Sequence, residues 1–354
     1  MAERIGVLDG WRALSVAFVF VGHLLWYSSI GSQSPFAGAM MQYAVFGVEI
    51  FFVISGFVIC RGLIGDKKPG WFAAFYVRRF FRIIPPFATY VLVIAALVGM
   101  GIVDGRAIKV WHGLFFVCNF RGETCGGWLG GHFWSLSTEE QFYLIFPATL
   151  ALLGNNRRFV LTGFALLLPL ACIGLYELNF LQTAIFMGYS IGISMGVAWA
   201  LNESAVTAFV KRSPDWTFFV AAIALLFLAQ YSGSPLATIL DTLFVAPLIV
   251  FVLAKSISGV AVVTWLFSSD PFRKAGVASY GFYLWQQLAT NPFPHAGIGF
   301  YTLSLLGSIA FTAASYVYFE RPLISFGKKL SARLSASPWL PGRQGNPVAQ
   351  ASVE

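Results

Sequence analysis

Apolar runs of about 20 residues recur along most of the chain, separated by short polar connections. A bilayer core roughly 30 Å thick requires helices of that length. The pattern predicts ten spans, at 8–28, 38–60, 86–103, 134–153, 159–176, 181–200, 216–231, 236–254, 275–290 and 297–319. Strand-type alternation is absent, which argues against an outer-membrane barrel. The expected fold class is therefore an all-α integral membrane protein of about ten transmembrane helices.

The polar residues that interrupt this pattern carry the chemistry. The first span, Leu8 to Tyr27, contains Asp9, Arg12 and His23, and insertion scales assign about 3 kcal/mol to an Asp or Arg at the centre of a span. At 100° per residue the three fall within about 60° of one another, a single stripe that must face protein or water. His23 lies roughly 16 Å along the axis from Arg12, so the two serve different depths. The second span, Gly47 to Phe57, holds Glu49 in its outer half, at about the depth of His23. A basic partner, protonation by burial or a plain inter-helix hydrogen bond would each accommodate it. Gly47, Ser55 and Gly56 read as close-packing positions.

Arg78, Arg79 and Arg82 follow, before Pro85-Pro86 set the entry to the third span. If this stretch is helical, Arg78 and Arg82 share a face and offer two guanidinium forks to one polyanion. Contact with anionic lipid head groups is an equal alternative. The fourth span opens with Trp134, Ser137, Glu139, Glu140 and Tyr143 close together near its outer end. The helix dipole would favour a capping role for Glu140, yet acids, hydroxyls and an amide at this density exceed what capping requires. The ninth span brings Tyr283 next to Gln286 and Gln287; aromatics near an interface usually form a belt, but the adjacent amides point inward. The tenth ends at Glu320-Arg321-Pro322, an acid and a base able to pair.

Composition supports the membrane reading. The 354 residues are 58% hydrophobic and 11% charged, with a mean hydropathy of +0.74, against about 25% charged in soluble domains. The net charge of +8 would suggest nucleic acid only if clustered on an aqueous domain, and none is read, so no nucleic-acid partner is expected. The connections on one side collect Arg4, Arg61, Lys67, Lys68, the arginines at 78, 79 and 82, then Arg157, Arg158, Lys211, Arg212, Lys255, Arg273, Lys274, Arg321, Lys328, Lys329, Arg333 and Arg343. The other side has Arg106, Lys109 and Arg121. By the positive-inside rule both termini are cytoplasmic, in a multi-pass protein of the cell inner membrane. No small-residue cleavage site follows the first span, and Trp26 and Tyr27 read as interfacial anchors, so that span is expected to be retained.

Cys60 and Cys172 read as buried small hydrophobes. Cys118 and Cys125 fall in the long outer connection, Asp104 to Phe133, where an oxidising compartment would permit a bridge. His112, His132 and His295 lie in or beside outer loops and form no ligand pattern, so no metal site is expected. Residues 1–330 form the membrane domain, and 331–354, rich in Ser, Pro, Gly and Gln, are expected to be a disordered cytoplasmic tail.

Six ordered blocks between residues 8 and 322 resemble the membrane-bound acyltransferase-3 family, the ten-helix O-acyltransferases of surface polysaccharides and related acceptors. They are Leu8-Asp9-Gly10-Trp11-Arg12-Ala13 with His23, the Gly47 to Phe57 stretch, and Arg78-Arg79-x-x-Arg82-Ile83-x-Pro85. Then come Trp134 to Tyr143, Ser279 to Gln286 and Glu320-Arg321-Pro322. The resemblance implies an enzyme that uses acyl-CoA, most often acetyl-CoA, as donor substrate, with no permanently bound cofactor, and a hydroxyl of an envelope or exported glycan as acceptor. It implies donor contacts at Arg12, Arg78, Arg79 and Arg82. His23 is expected to act as general base or as a transiently acylated nucleophile, supported by Glu139, Glu49 or Asp9. Trp134, Ser137, Tyr143, Tyr283 and Gln286 are expected to bind substrate, with acceptor contacts near Trp111 to His132.

Two positions depart from the pattern: Glu49 stands where most relatives have Asp, and Gln286 where the usual block reads Trp-His. An amide hydrogen-bonds but carries no proton at neutral pH. A flippase or transporter of a glycan or lipid-linked intermediate is the competing class. It should show inverted repeats and helices broken near the midplane, and no convincing repeat is read. No hydrolase-like domain follows the tenth span, so transfer is expected to finish within the membrane domain or with a separate partner.

Overall fold

In a computed structural model, the structure describes residues 4–27, 35–65, 70–103, 110–120, 125, 127–178, 180, 187–188, 190–230, 235–290 and 298–336. Every regular element among them is helical: α1 (Gly6–Tyr27), α2 (Pro35–Gly65), α3 (Trp71–Gly99), α4 (Val110–Leu114), α5 (Phe133–Leu153), α6 (Arg157–Glu177), α7 (Ile191–Leu201) and α8 (Glu203–Arg212). They continue as α9 (Trp216–Gln230), α10 (Pro235–Ser258), α11 (Ala261–Phe267), α12 (Asp270–Val277), α13 (Ser279–Ala289), α14 (Ile298–Ser315) and α15 (Arg321–Ala336). Lys67, Lys68, Arg106, Lys109, Arg121, His295, Arg343 and the tail from 337 lie outside the described residues, as do the side chains of Trp26 and Tyr27.

Five helical stretches among the described residues are long and apolar enough to cross a membrane, or seven if each of two bent pairs is one span. The difference from ten has identifiable causes. The expected fourth and fifth spans follow each other through the three-residue turn Gly154–Asn156 and form one apolar stretch, Trp128–Glu177. The ninth is cut at Ala278, which separates α12 from an 11-residue α13. The expected third span begins much earlier: α3 runs unbroken from Trp71 through Pro85 and Pro86, so the three arginines belong to the same helix as the apolar segment. The tenth passes its expected end through a π-helical turn, Tyr316–Glu320, into α15, which also takes up 331–336 of the expected tail.

Contacts between helices set the depth of each residue. α1 and α2 are antiparallel: a Cβ on Gly47 would meet Ser15 and lie 3.2 Å from Val19, and the Phe18 ring is 6.1 Å from both Tyr43 and Phe46. Glu49 therefore sits level with Arg12 to Ser15, not with His23, about 12–16 Å away along α1. The expectation that these two share a depth fails because Glu49 lies 14 residues from the start of α2, while His23 is four residues from the end of α1. α2 and α7 pack backbone to backbone, since a Cβ on Gly56 would meet the Ile193 carbonyl and one on Gly196 would meet the Val53 carbonyl. The close-packing role read for Gly47 and Gly56 is what these contacts show.

α3 and α5 are also antiparallel, with Phe87 against Phe133 at 5.2 Å, Tyr90 against His132 at 5.3 Å and the Tyr76 hydroxyl donating to the Leu144 carbonyl at 2.7 Å. α5 thus begins level with Tyr90, nine residues or about 14 Å short of the end of α3. The segment before it dips into the bundle, where the Tyr90 hydroxyl donates to the Leu129 carbonyl at 2.9 Å and Phe116 stacks near Phe87 at 4.9 Å. The Cys118–Cys125 disulfide ties this segment to itself. Asn119 and Gln141 exchange amide hydrogen bonds at 2.9 Å in both directions, which ties it to α5.

The bends fall at the opposite, arginine-rich end. α7 turns by 89° into α8 and α10 by 90° into α11. There Arg61 donates to both Glu203 oxygens, at 3.1 and 3.0 Å, and Arg158 to Asn202 at 2.8 Å. The buried Lys255 ammonium donates to the Ser213 carbonyl at 2.6 Å and pairs with Asp215 at 2.9 Å.

The glycine contacts generate a stability prediction. Gly196→Ala should lower the thermal midpoint of the detergent-solubilised protein by the equivalent of about 1–3 kcal/mol, because the new methyl meets backbone that cannot rotate away. Gly163→Ala, where a Cβ meets open space within α6, should leave the midpoint unchanged or raised.

Candidate active site

Asp9 and Arg12 of the first stripe meet the arginine stretch in one cavity of about 330 Å³, which His23 does not line. Its lining holds seven basic side chains, Arg4, Arg12, Arg61, Arg78, Arg79, Arg82 and Lys328, against a single carboxylate, Asp9. Local sequence explains the convergence: Arg78 and Arg82 are one turn apart on α3, Asp9 and Arg12 share a face of α1, and α15 supplies Lys328. Asp9 is buried and accepts from Arg4 Nε at 2.7 Å. Arg12 Nε is buried with no hydrogen-bond partner among the described residues. All four arginines expected to hold a polyanion line this cavity, and the sequence reading omitted Arg4, Arg61 and Lys328 from it. Among the described residues no cluster of His, Cys, Asp and Glu is placed to hold a metal ion.

Glu139 belongs to this end of the molecule. It accepts hydrogen bonds from the Ser55 hydroxyl and, at 2.5 Å, from the Tyr143 hydroxyl. Arg79 lies over the Tyr143 ring at 4.8 Å. Arg12 and Arg82, from different helices, line the same cavity. The expectation that Glu139 stands near the outer surface beside His23 is thereby corrected: the dipping segment starts α5 deep in the bundle, and six further residues carry Glu139 down to the level of Arg82. Glu49 is half-buried with its backbone against Gly192 of α7, and Asp9 lies some 21 Å from His23 along α1. None of the three carboxylates stands at His23's depth.

His23 is met instead by neutral groups. Its Nδ1 is 3.1 Å from Gln286 Oε1, Gln286 Nε2 donates to Gln287 Oε1 at 2.9 Å, and Gln287 Nε2 donates to the Trp128 carbonyl at 2.7 Å. Trp128 Nε1 returns a hydrogen bond to the Gln287 carbonyl at 2.9 Å, and the Trp128 ring stands edge-on to His23 with centroids 4.9 Å apart. Nearby, His132 is 2% exposed, its ring among those of Tyr90, Phe133 and Tyr283.

The residues expected to bind substrate divide. Tyr143 forms part of the Glu139 cluster. Tyr283 shares a 2.5 Å hydrogen bond with Ser135, and Trp134 packs edge-on against Phe52 at 6.1 Å. Ser137 is fully buried; it donates to the Phe133 carbonyl at 2.7 Å and accepts from the Cys118 amide at 3.2 Å, so it fastens the dipping segment. Gln286 is fully buried with both ends of its amide engaged, which leaves it no edge for a substrate. Glu320 turns inward, 2% exposed against Gly281, while Arg321 faces outward, and no ion pair joins them among the described residues. Gln287, Trp128 and His132 were passed over at this site. The adjacent amides of Gln286 and Gln287 were the available signal for the first, and a loop assignment hid the other two.

The family model described as an acyltransferase domain matches residues 5–319. Among known proteins, the chain is similar to a peptidoglycan O-acetyltransferase of Listeria monocytogenes, 28% identical over 78% of this chain and 48% of that protein. It is also similar to a candidate O-acetyltransferase of Staphylococcus aureus, 25% identical over 94% of the chain and 59% of the relative. A candidate peptidoglycan O-acetyltransferase of Bacillus subtilis is 24% identical over 92% and 56%. The chain thus spans about half the length of these relatives. No solved structure matches it.

Three outcomes follow from the site geometry. Alkylation of the denatured, unreduced protein should label Cys60 and Cys172, and prior reduction should add Cys118 and Cys125, as mass spectrometry would read. Glu139→Ala should destabilise the solubilised protein by about 1–3 kcal/mol, because it leaves the buried Ser55 and Tyr143 hydroxyls without their acceptor. Tyr143→Phe, which removes one hydrogen bond to a charged acceptor, should cost about 1.5–3 kcal/mol.

Proposed function

The chain belongs to the acyltransferase family whose domain covers residues 5–319, and from that premise we propose that it is a ten-span inner-membrane O-acetyltransferase with both termini cytoplasmic. It takes the acyl group from acyl-CoA, most simply acetyl-CoA, and delivers it to a hydroxyl of an envelope glycan. The names of its relatives make peptidoglycan the first acceptor to test. The observation that carries the reading is the cavity at the arginine-rich end, whose seven basic groups outnumber its one carboxylate. A phosphate-bearing donor supplies the anion that such a cluster favours, and guanidinium forks bind phosphate oxygens bidentately.

The donor's phosphates occupy the cavity under Arg12, Arg78, Arg79 and Arg82, and its pantetheine arm extends along α1 toward His23, about 16 Å away. Glu139 anchors the Ser55 and Tyr143 hydroxyls beside the cavity. His23 Nε2 accepts the proton of the acceptor hydroxyl as that oxygen bonds to the acyl carbon. The carbon–sulfur bond breaks, the sulfur leaves and receives the proton from the imidazolium, and the products are an ester and free CoA thiol. A carrier reading requires helices broken near the midplane. Here the 89° and 90° bends adjoin Glu203, Arg61 and Lys255 at the basic end.

In membranes given labelled acetyl-CoA and peptidoglycan fragments, His23→Ala should reduce transfer by on the order of 10²–10⁴-fold with the protein still inserted. Transfer at the wild-type rate would overturn the assignment. Arg82→Ala should raise the KM for acetyl-CoA about tenfold or more while insertion is unchanged. Ping-pong kinetics would replace direct transfer with an acyl-histidine route.

A further inference from the structure

His23 is bound to the backbone through two side-chain amides, and the order of donors along that chain has a chemical consequence. The Trp128 carbonyl accepts and does not donate, so the end of Gln287 that faces it, at 2.7 Å, is the NH₂ end. That places Gln287 Oε1 toward Gln286, where it accepts from Gln286 Nε2 at 2.9 Å. Gln286 Oε1 is then the atom that faces His23 Nδ1 at 3.1 Å. An oxygen there demands a proton on Nδ1. Rotating either amide by half a turn would set oxygen against oxygen, or NH₂ against NH₂, at one of the links, so the polarity of the whole chain follows from one backbone carbonyl.

Burial keeps water from rescuing a reversed link: Gln286 is 0% and Gln287 1% exposed. The anchor is doubled, because Trp128 Nε1 donates to the Gln287 carbonyl at 2.9 Å while its own carbonyl accepts from the Gln287 side chain. Thr290 accounts for the remaining backbone group, donating to the Gln286 carbonyl at 2.8 Å.

We propose that Gln286 and Gln287 are positioning residues: an amide relay anchored on the Trp128 carbonyl holds His23 in the Nδ1–H tautomer and leaves Nε2 bare. The catalytic meaning of this tautomer rests on the reading of His23 as general base, while the tautomer itself does not. Free imidazole side chains in water favour the opposite form, protonated at Nε2, which has no lone pair on that nitrogen to take a proton. The relay thus commits the ring to a single accepting atom, as a buried acceptor does for the histidine of hydrolase triads. It also accounts for two adjacent glutamines in an apolar helix, where each amide satisfies the other.

The test is nitrogen NMR of the full-length protein in lipid nanodiscs, labelled with 15N in the histidine rings, with His23→Gln to assign the His23 signals. The wild type should show protonated Nδ1 and bare Nε2 at His23. Gln286→Leu and Gln287→Leu should each shift His23 toward the Nε2–H form. Their acetyl transfer should fall in kcat by about tenfold or more, with the KM for acetyl-CoA within about twofold of wild type. Protonated Nε2 in the wild-type protein, or an unchanged tautomer in both leucine variants, would overturn the relay. Wild-type transfer by His23→Gln would instead remove the general-base reading and leave the tautomer result standing.

Discussion

A guanidinium group inside a bilayer has to be met by an anion, a dipole or water, and the arrangement of this molecule follows from how it meets several at once. Arg12 and Arg82 come from different helices and line one cavity with five further basic side chains. Glu139 is itself held by two hydroxyls, Ser55 from α2 and Tyr143 one turn along its own helix. That cluster joins α2, α3 and α5 at one depth, with Arg12 of α1 in the adjoining cavity. Among the described residues Arg12 Nε is buried without a hydrogen-bond partner, and a positive cavity lies beside it. Stability and ligand binding are in tension here, because the charge that would recognise a phosphate is charge the resting protein cannot fully neutralise.

The second constraint is the outer segment that dips into the bundle. Because it carries the start of α5 down to Tyr90, Glu139 reaches the arginines and His132 is buried among aromatic rings. The same segment supplies Trp128, whose carbonyl and indole clamp α13 beside His23. One irregular stretch therefore sets both the depth of Glu139 and the surroundings of His23. The disulfide, Ser137 and the Asn119–Gln141 pair are what hold that stretch in place. Non-helical backbone is tolerated at this depth only where protein surrounds it and satisfies its polar groups, and the Tyr90 hydroxyl on Leu129 is one such satisfaction.

Much of this was legible in the residues. The i, i+4 spacing of Arg78 and Arg82 and the common face of Asp9 and Arg12 were enough to predict a cluster, because helix geometry alone relates them. Gly47 and Gly56 announced close packing for the same reason. Depth was another matter. Glu139 and Glu49 were both read as neighbours of His23 on the premise that each helix begins at the membrane surface, and α5 begins about 14 Å below the end of α3. Hydropathy reports that a segment is buried in something apolar and says nothing of where along the bilayer normal it starts. Glu320 and Arg321 are adjacent in a helical stretch, where neighbouring side chains point about 100° apart, so one turns inward and the other outward.

The separation of the carboxylates from His23 also bears on which chemical route suits the site. In a triad the base's far nitrogen meets a carboxylate, which stabilises the imidazolium that forms. Here it meets an amide oxygen, and charge-assisted hydrogen bonds are roughly twice as strong as neutral ones. Among the described residues no carboxylate stands at that depth to make up the difference. An imidazolium at His23 is therefore a species to be discharged quickly, and the departing thiolate is the base at hand to discharge it. An acyl group on Nε2, with Nδ1 still protonated, would be a cation obliged to wait for the acceptor in the same neutral surroundings. If His23 is the general base proposed above and the donor a thioester, these neutral surroundings favour transfer in which the proton enters and leaves Nε2 within one turnover step, with the acyl carbon passing directly from sulfur to oxygen.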